Sequence, residues 1–143
     1  MKTYKISEVA KILGVSVHTL RYWDKIGLLN FIERDKNGNR VFKRDDFILL
    51  DTILCLKATG MHLRDIKHYV ELCQKGISSV PERLEIMEGQ KDEIEKQIED
   101  LKDELFVAEQ KVKYYEEAIK CNSLDVFPEE REKWLNKIFD LDE

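Results

Sequence analysis

Two prolines and six glycines among 143 residues leave little room for long flexible linkers. The three cysteines, Cys55, Cys73 and Cys121, are odd in number, widely spaced and form no CxxC pair. That pattern excludes a disulfide framework and points to a reducing compartment, the cytoplasm. No apolar run reaches the ~18 residues that a membrane span needs, and the N-terminus MKTYKISEVA lacks a signal-peptide core. A Gly-rich phosphate loop is missing. So is any Cys/His pair or carboxylate pair that stands out from helix-surface charge. Neither an enzyme nor a cofactor is expected.

Charge is abundant, at 37% of residues, and uneven. Residues 1–76 hold 14 Lys and Arg against 9 Asp and Glu; residues 77–143 hold 10 against 20. A basic head on an acidic body implies a polyanionic partner for the head alone.

In the head, Ser7 precedes an apolar pattern of Val9, Ile12 and Leu13, and Gly14 follows it. That reads as a short helix with a Ser cap and a Gly stop. Ser16 caps a second helix, from Val17 to about Ile26. Only three residues join the two, the spacing of a helix-turn-helix. The segment NFIERDKNGNRVFK places Phe31, Ile32, Val41 and Phe42 around a polar Asn-Gly tip, a small two-stranded wing. Asp45 and Asp46 open a third helix that stops at Gly60. A fourth runs from Leu63 to Gln74.

Ser79 and Glu82 have capping-box spacing, with Pro81 in the first turn. From there Val80, Leu84, Met87, Lys91, Ile94, Ile98, Leu101, Leu105, Ala108, Val112, Tyr115 and Ile119 repeat at intervals of four and three. Only Lys91 breaks the apolar seam. A helix of about 60 Å, at ~1.5 Å per residue, with polar flanks must turn such a seam towards a partner helix. Folding the seam about Glu99 sets Lys91 opposite the small Ala108 and brings Glu95 near Lys102. An antiparallel homodimer is therefore expected, although Glu88 meets Glu109 in that register. Pro128 begins a last short helix with Trp134, Leu135, Ile138 and Phe139 on one face.

The segments YKISEVAKILGVSVHTLRYWDKIGLL, NGNRVF and LCLKATGMHLRDI, followed by the long coil, resemble the MerR family of bacterial transcriptional regulators over about residues 4–120. The resemblance implies a mainly α fold: a winged helix-turn-helix head with a small β-wing, a long antiparallel dimerisation helix and a short C-terminal helix. The expected segments are a DNA-binding domain at 1–76, a coiled-coil helix at 77–120 and a tail at 121–143. The family implies a homodimer on a pseudo-palindromic promoter. In its activated state it bends and untwists the spacer so that RNA polymerase engages both promoter elements.

On the DNA side, the resemblance places Val17, His18 and Arg21 in the major groove. Val17 would touch a thymine methyl, and Arg21 a guanine edge or a phosphate. Tyr22 matches a phosphate-binding tyrosine, its plainer reading being a half-buried packing residue. His18 replaces an arginine common in relatives and reads equally as a solvated side chain. Trp23 is assigned to packing. Asn39 and Arg40 match the wing tip that grips the DNA backbone, and Lys57 a phosphate contact from a second wing. Phe42 stands where a tyrosine is common, so a hydroxyl contact is lost. His62 occupies an N-cap usually held by Ser or Thr.

Metal-sensing relatives need paired thiolates at the ends of the coil. Here Ser78 and Ser79 stand at one end and Cys121 alone at the other, so no metal site is expected. Cys55, within LCLKATG, matches a lone cysteine of the AdhR- and NmlR-like subgroup, which responds to aldehydes and other electrophiles. It is the candidate sensor, with Lys57 and Lys67 as nearby cations. Its other reading is a small hydrophobe in a helix core. Cys73 aligns with Ile66 and Val70 and reads as core. Two alternatives stay open: a coiled-coil interaction protein with a degenerate head, and a regulator that senses a small apolar ligand without cysteine chemistry.

Overall fold

The computed structural model describes residues 2–139; Met1 and residues 140–143, at the ends of the first and last expected segments, lie outside them. Two compact units divide the chain near Ile94.

In the first unit, β1 (Thr3–Tyr4) leads into α1 (Ile6–Leu13), α2 (Val17–Lys25), β2 (Glu33–Arg34), β3 (Arg40–Lys43), α3 (Asp46–Ala58) and α4 (Leu63–Cys73). A 3-10 turn, Gly76–Ser79, then feeds α5 (Val80–Cys121). The wing has three strands, not two. β1 pairs antiparallel with β3, Tyr4 opposite Phe42, and β2 pairs with the other edge of β3. Tyr4 also stacks edge-on against Phe47, which ties the N-terminus to α3.

Helix boundaries follow local chemistry. The α1 cap lies earlier than Ser7: the Lys5 N–H donates to Glu8 Oε2 at 2.8 Å, and Ser7 falls within the first turn. Gly14, at φ 71°, ends α1 in the left-handed region that glycine adopts without a Cβ penalty. Ser16 Oγ then accepts from the Thr19 N–H at 3.0 Å, capping α2. At α3, Asp46 Oδ2 accepts from the Lys43 N–H at 2.8 Å. The core draws on all four helices of the head and on β3, with Val9, Leu20, Trp23, Leu28, Phe42, Leu50, Ile53 and Ile66 all buried. Each such side chain contributes about 1.5–3 kcal/mol of burial.

The capping box expected at Ser79 does not form. Its hydroxyl is turned back to the Leu72 carbonyl at 2.6 Å and the Gly76 carbonyl at 2.8 Å, and it accepts from Arg83 Nε at 2.9 Å. Ser79 thus fastens the start of α5 to the end of α4 instead of starting a separate helix. Further along, Gln90 Nε2 donates to Thr59 Oγ1 at 2.5 Å, and Thr59 Oγ1 donates to the Cys55 carbonyl at 2.8 Å. His68 and Glu82 pair at 2.9 Å. The first turns of α5 are therefore fixed to α3 and α4 at several points.

In the second unit, α5 continues to Cys121 and α6 (Pro128–Phe139) packs beside its last third. Asn122, at φ 48°, ends α5 in a left-handed conformation that Asn tolerates. Tyr114 donates its hydroxyl to the Leu124 carbonyl, and Lys113 pairs with Glu130 at 3.4 Å. The seam is largely uncovered, except at Met87, which packs against the head core instead of facing outward, and Ile94, which is half-buried. Leu84, Ile98, Leu101, Leu105, Val112, Tyr115 and Ile119 are all exposed, Ile119 at 81%.

Candidate nucleic-acid interface

α2 divides into two faces. Leu20 and Trp23 are buried; His18, Arg21, Tyr22 and Lys25 are exposed, at the i, i+3, i+4, i+7 spacing of one helical stripe. The stripe carries two permanent cations, an imidazole and a phenol that is 47% exposed. Lys25 was not among the expected residues, although its position four after Arg21 places it on the same stripe. Val17 is half-buried against the core, so most of its side chain is spent on packing. Ser16 and Thr19 hold each other through their hydroxyls at 2.9 Å, which fixes the helix start.

The wing tip is a tight, internally bonded loop. Asp35 Oδ1 accepts from the N–H groups of Asn37 and Asn39, both at 2.9 Å, and Arg34 Nη1 donates to the Gly38 carbonyl at 2.6 Å. Asn39 and Lys36 are exposed there, and Lys36 was also not foreseen.

Arg40 departs from expectation. Its side chain is only 11% exposed and points inward. Nε reaches Asp24 Oδ1 at 2.9 Å, Nη1 the Ile32 carbonyl at 2.6 Å and Nη2 Asn30 Oδ1 at 3.3 Å. Its donors are committed to the protein, so it braces the wing rather than presenting a charge. Phe42, fully buried, sits where a hydroxyl would have lacked water.

Lys57 is exposed near the end of α3. His62 is the N-cap of α4 but makes no side-chain cap bond. Lys43 is paired with Glu33 at 2.8 Å, and that hydrogen bond raises its pKa above the usual lysine value. Cys55 is exposed on α3, which sets aside the reading of a side chain packed in this head's core. Cys73 is half-buried rather than core. It lies beside Tyr69, whose phenol is pushed up first by burial and then by a hydrogen bond to Cys73. Cys121 is exposed, and its thiol donates to Glu117 Oε1 at 3.5 Å, which raises its pKa.

A capped reading helix with a cationic outer stripe, flanked by a braced wing, defines a winged helix-turn-helix DNA-binding protein. Residues 4–73 match the MerR HTH family regulatory protein description, and residues 49–103 match MerR, DNA binding. An HTH-type transcriptional regulator of Haemophilus influenzae is 39% identical over 132 residues, covering 89% of this chain and 98% of that one. The solved structure of HiNmlR, a MerR family regulator lacking the sensor domain and bound to promoter DNA, is also 39% identical. It has a TM-score of 0.78 over 86% of this chain and 93% of its own. A MerR family regulator from Bacillus thuringiensis is 34% identical, with a TM-score of 0.73 over 78% of this chain and 97% of its own. The chain belongs to the MerR family and is a DNA-binding transcriptional regulator of that type. Among the described residues no helix is long and apolar enough to cross a membrane.

Proposed function

We propose that the protein works as a homodimer in the cytoplasm, at the nucleoid, with its two heads on a pseudo-palindromic promoter. The exposed stripe of α2 carries this reading. Arg21 reaches a base edge or phosphate, Tyr22 and Lys25 hold phosphate, and His18 lies at the groove floor. Val17 contributes through its outer methyl. Asn39 and Lys57 hold the flanking backbone, and Arg40 acts indirectly by keeping the wing against α2. HiNmlR binds promoter DNA without a sensor domain; by analogy, the present chain reads DNA through its head alone.

The uncovered seam of α5 supports the dimer, with Val80 facing Ile119 and Ile98 facing Leu101 of the other copy. In the active state the dimer bends and untwists the spacer for RNA polymerase. A coiled-coil protein with a degenerate head would not need a free cationic stripe on α2. Footprinting on the region upstream of its own coding sequence tests the reading: one protected, near-symmetric site supports it, and no protected site refutes it.

A second reading rests on Cys55, whose thiol is exposed and whose backbone carbonyl is linked to α5 by two hydrogen bonds, through Thr59 Oγ1 to Gln90 Nε2. Adduct formation at Cys55 would be felt where the head meets the coil. Cys55→Ala should then abolish electrophile-induced transcription while leaving operator binding intact; an unchanged response ends this reading.

A further inference from the structure

We infer that the cleft between α6 and the last third of α5 binds an amphipathic organic monoanion, with a flat apolar body and a carboxylate or similar oxyanion. The cleft measures about 470 Å³, within the ~300–1,000 Å³ of small-molecule sites. Its walls are aromatic and aliphatic, chiefly Val107, Tyr114, Phe127, Trp134 and Leu135. Such walls suit a planar apolar body.

Two observations set the polarity of the other end, and a third marks the cleft wall as strained. First, Trp134 Nε1 is buried and has no hydrogen-bond partner; it is the one such side-chain donor among the described residues. A buried indole N–H without an acceptor calls for an oxygen that the protein does not supply. Second, the cleft's cations outnumber its anions. Lys113 is paired with Glu130 and lies over the Phe127 ring at 5.0 Å. Lys111 and Arg131 form no ion pair among the described residues and border the same space. Third, Phe127 takes a positive φ of 49°, costly for a bulky residue, and its ring lines the cleft.

The cleft lies mostly on the side of α5 turned away from the dimer seam, and Tyr115 borders both. Val107, Gln110 and Tyr114 lie on the side of α5 opposite Leu105, Val112 and Ile119, since 3.6 residues make a turn. A second α5 on the seam would cover Tyr115 and leave the wall formed by Val107, Gln110 and Tyr114 open. The inference stands on the cleft's own geometry and does not depend on how the head meets DNA.

The test is calorimetric titration of the full chain, without DNA, with 2-naphthoate, 2-naphthamide and 2-naphthylmethylamine. Expected is saturable binding of naphthoate at one per chain, with the neutral amide about tenfold weaker and the amine not bound. Arg131→Gln, at an exposed position that leaves the packing intact, should weaken naphthoate about tenfold and leave the amide unchanged. Trp134→Phe should weaken naphthoate and amide alike, because both lose the indole donor; circular dichroism checks that helix content is kept. Three results overturn the inference: no saturable naphthoate binding, equal binding of naphthoate and amine, or naphthoate affinity unchanged in Arg131→Gln.

Discussion

One carboxylate oxygen, Asp24 Oδ1, receives two donors of Arg40, Nε at 2.9 Å and Nη2 at 2.8 Å. The pair joins the reading helix to the central strand of the wing across sixteen residues of sequence. A planar fork makes this bond; a lysine ammonium cannot reproduce it together with the bonds to Ile32 and Asn30. Arg40→Lys should therefore destabilise the fold by about 1.5–3 kcal/mol, read as a lowered Tm. The salt dependence of DNA binding should keep its slope, because Arg40 is a brace and not a phosphate ligand. A slope reduced by one unit with the Tm unchanged would reverse that assignment.

Gly27 follows α2 at φ 87°, and a Cβ there would meet Lys67 Cε at 3.0 Å. Gly27→Ala should cost about 1–2 kcal/mol from the left-handed backbone alone. Denaturant unfolding measures it; a neutral substitution would mean that Lys67 and the loop both yield freely.

The antiparallel register makes a covalent prediction. In a cysteine-free background, Leu84→Cys combined with Tyr115→Cys should give a disulfide-linked dimer joining 84 of one copy to 115 of the other. A link between residues near 80 of both copies would require a parallel coil.

Cys121 sits under the influence of Glu117, which accepts its S–H and repels the thiolate, so its pKa is raised. With a raised pKa, less thiolate is present at any pH below it. Glu117→Gln removes the negative charge, lowers the thiol pKa and should speed alkylation of Cys121 several-fold at pH 8. Peptide mapping of the modified protein reads the rate; an unchanged rate would contradict the carboxylate's role.

Much of this fold is written locally. Ser16, Gly14 and the buried pair Leu20 and Trp23 follow from spacing and cap chemistry, and the seam of α5 from its heptads. The outward side of His18, Arg21 and Tyr22 was legible through the resemblance of the α2 segment to the MerR family. What escaped depends on distant partners. Thr3 and Tyr4 are strand-favouring types but too short a run to read as a strand alone, and they become one because β3 offers an open edge. Arg40 looks like a wing-tip cation until Asp24 is seen beside it. Ser79 has the spacing of a cap, but the carbonyls of Leu72 and Gly76 take its hydroxyl first. Lys25 and Lys36 are ordinary surface lysines by type, and only their exposed positions give them a part in the proposed interface.

The central claim is that the outer stripe of α2 binds DNA, and the salt dependence of binding tests it most directly. Affinity for the protein's own upstream region is measured across a range of salt concentrations, beside a scrambled duplex, for the parent chain, Arg21→Ala and Lys57→Ala. Expected are steep salt dependence, a clear preference for the upstream region, and loss of most of that preference in Arg21→Ala. Lys57→Ala should weaken both duplexes alike and lower the slope by about one unit. Equal affinity of the parent chain for both duplexes, or an Arg21→Ala variant that discriminates as well as the parent, would contradict the claim.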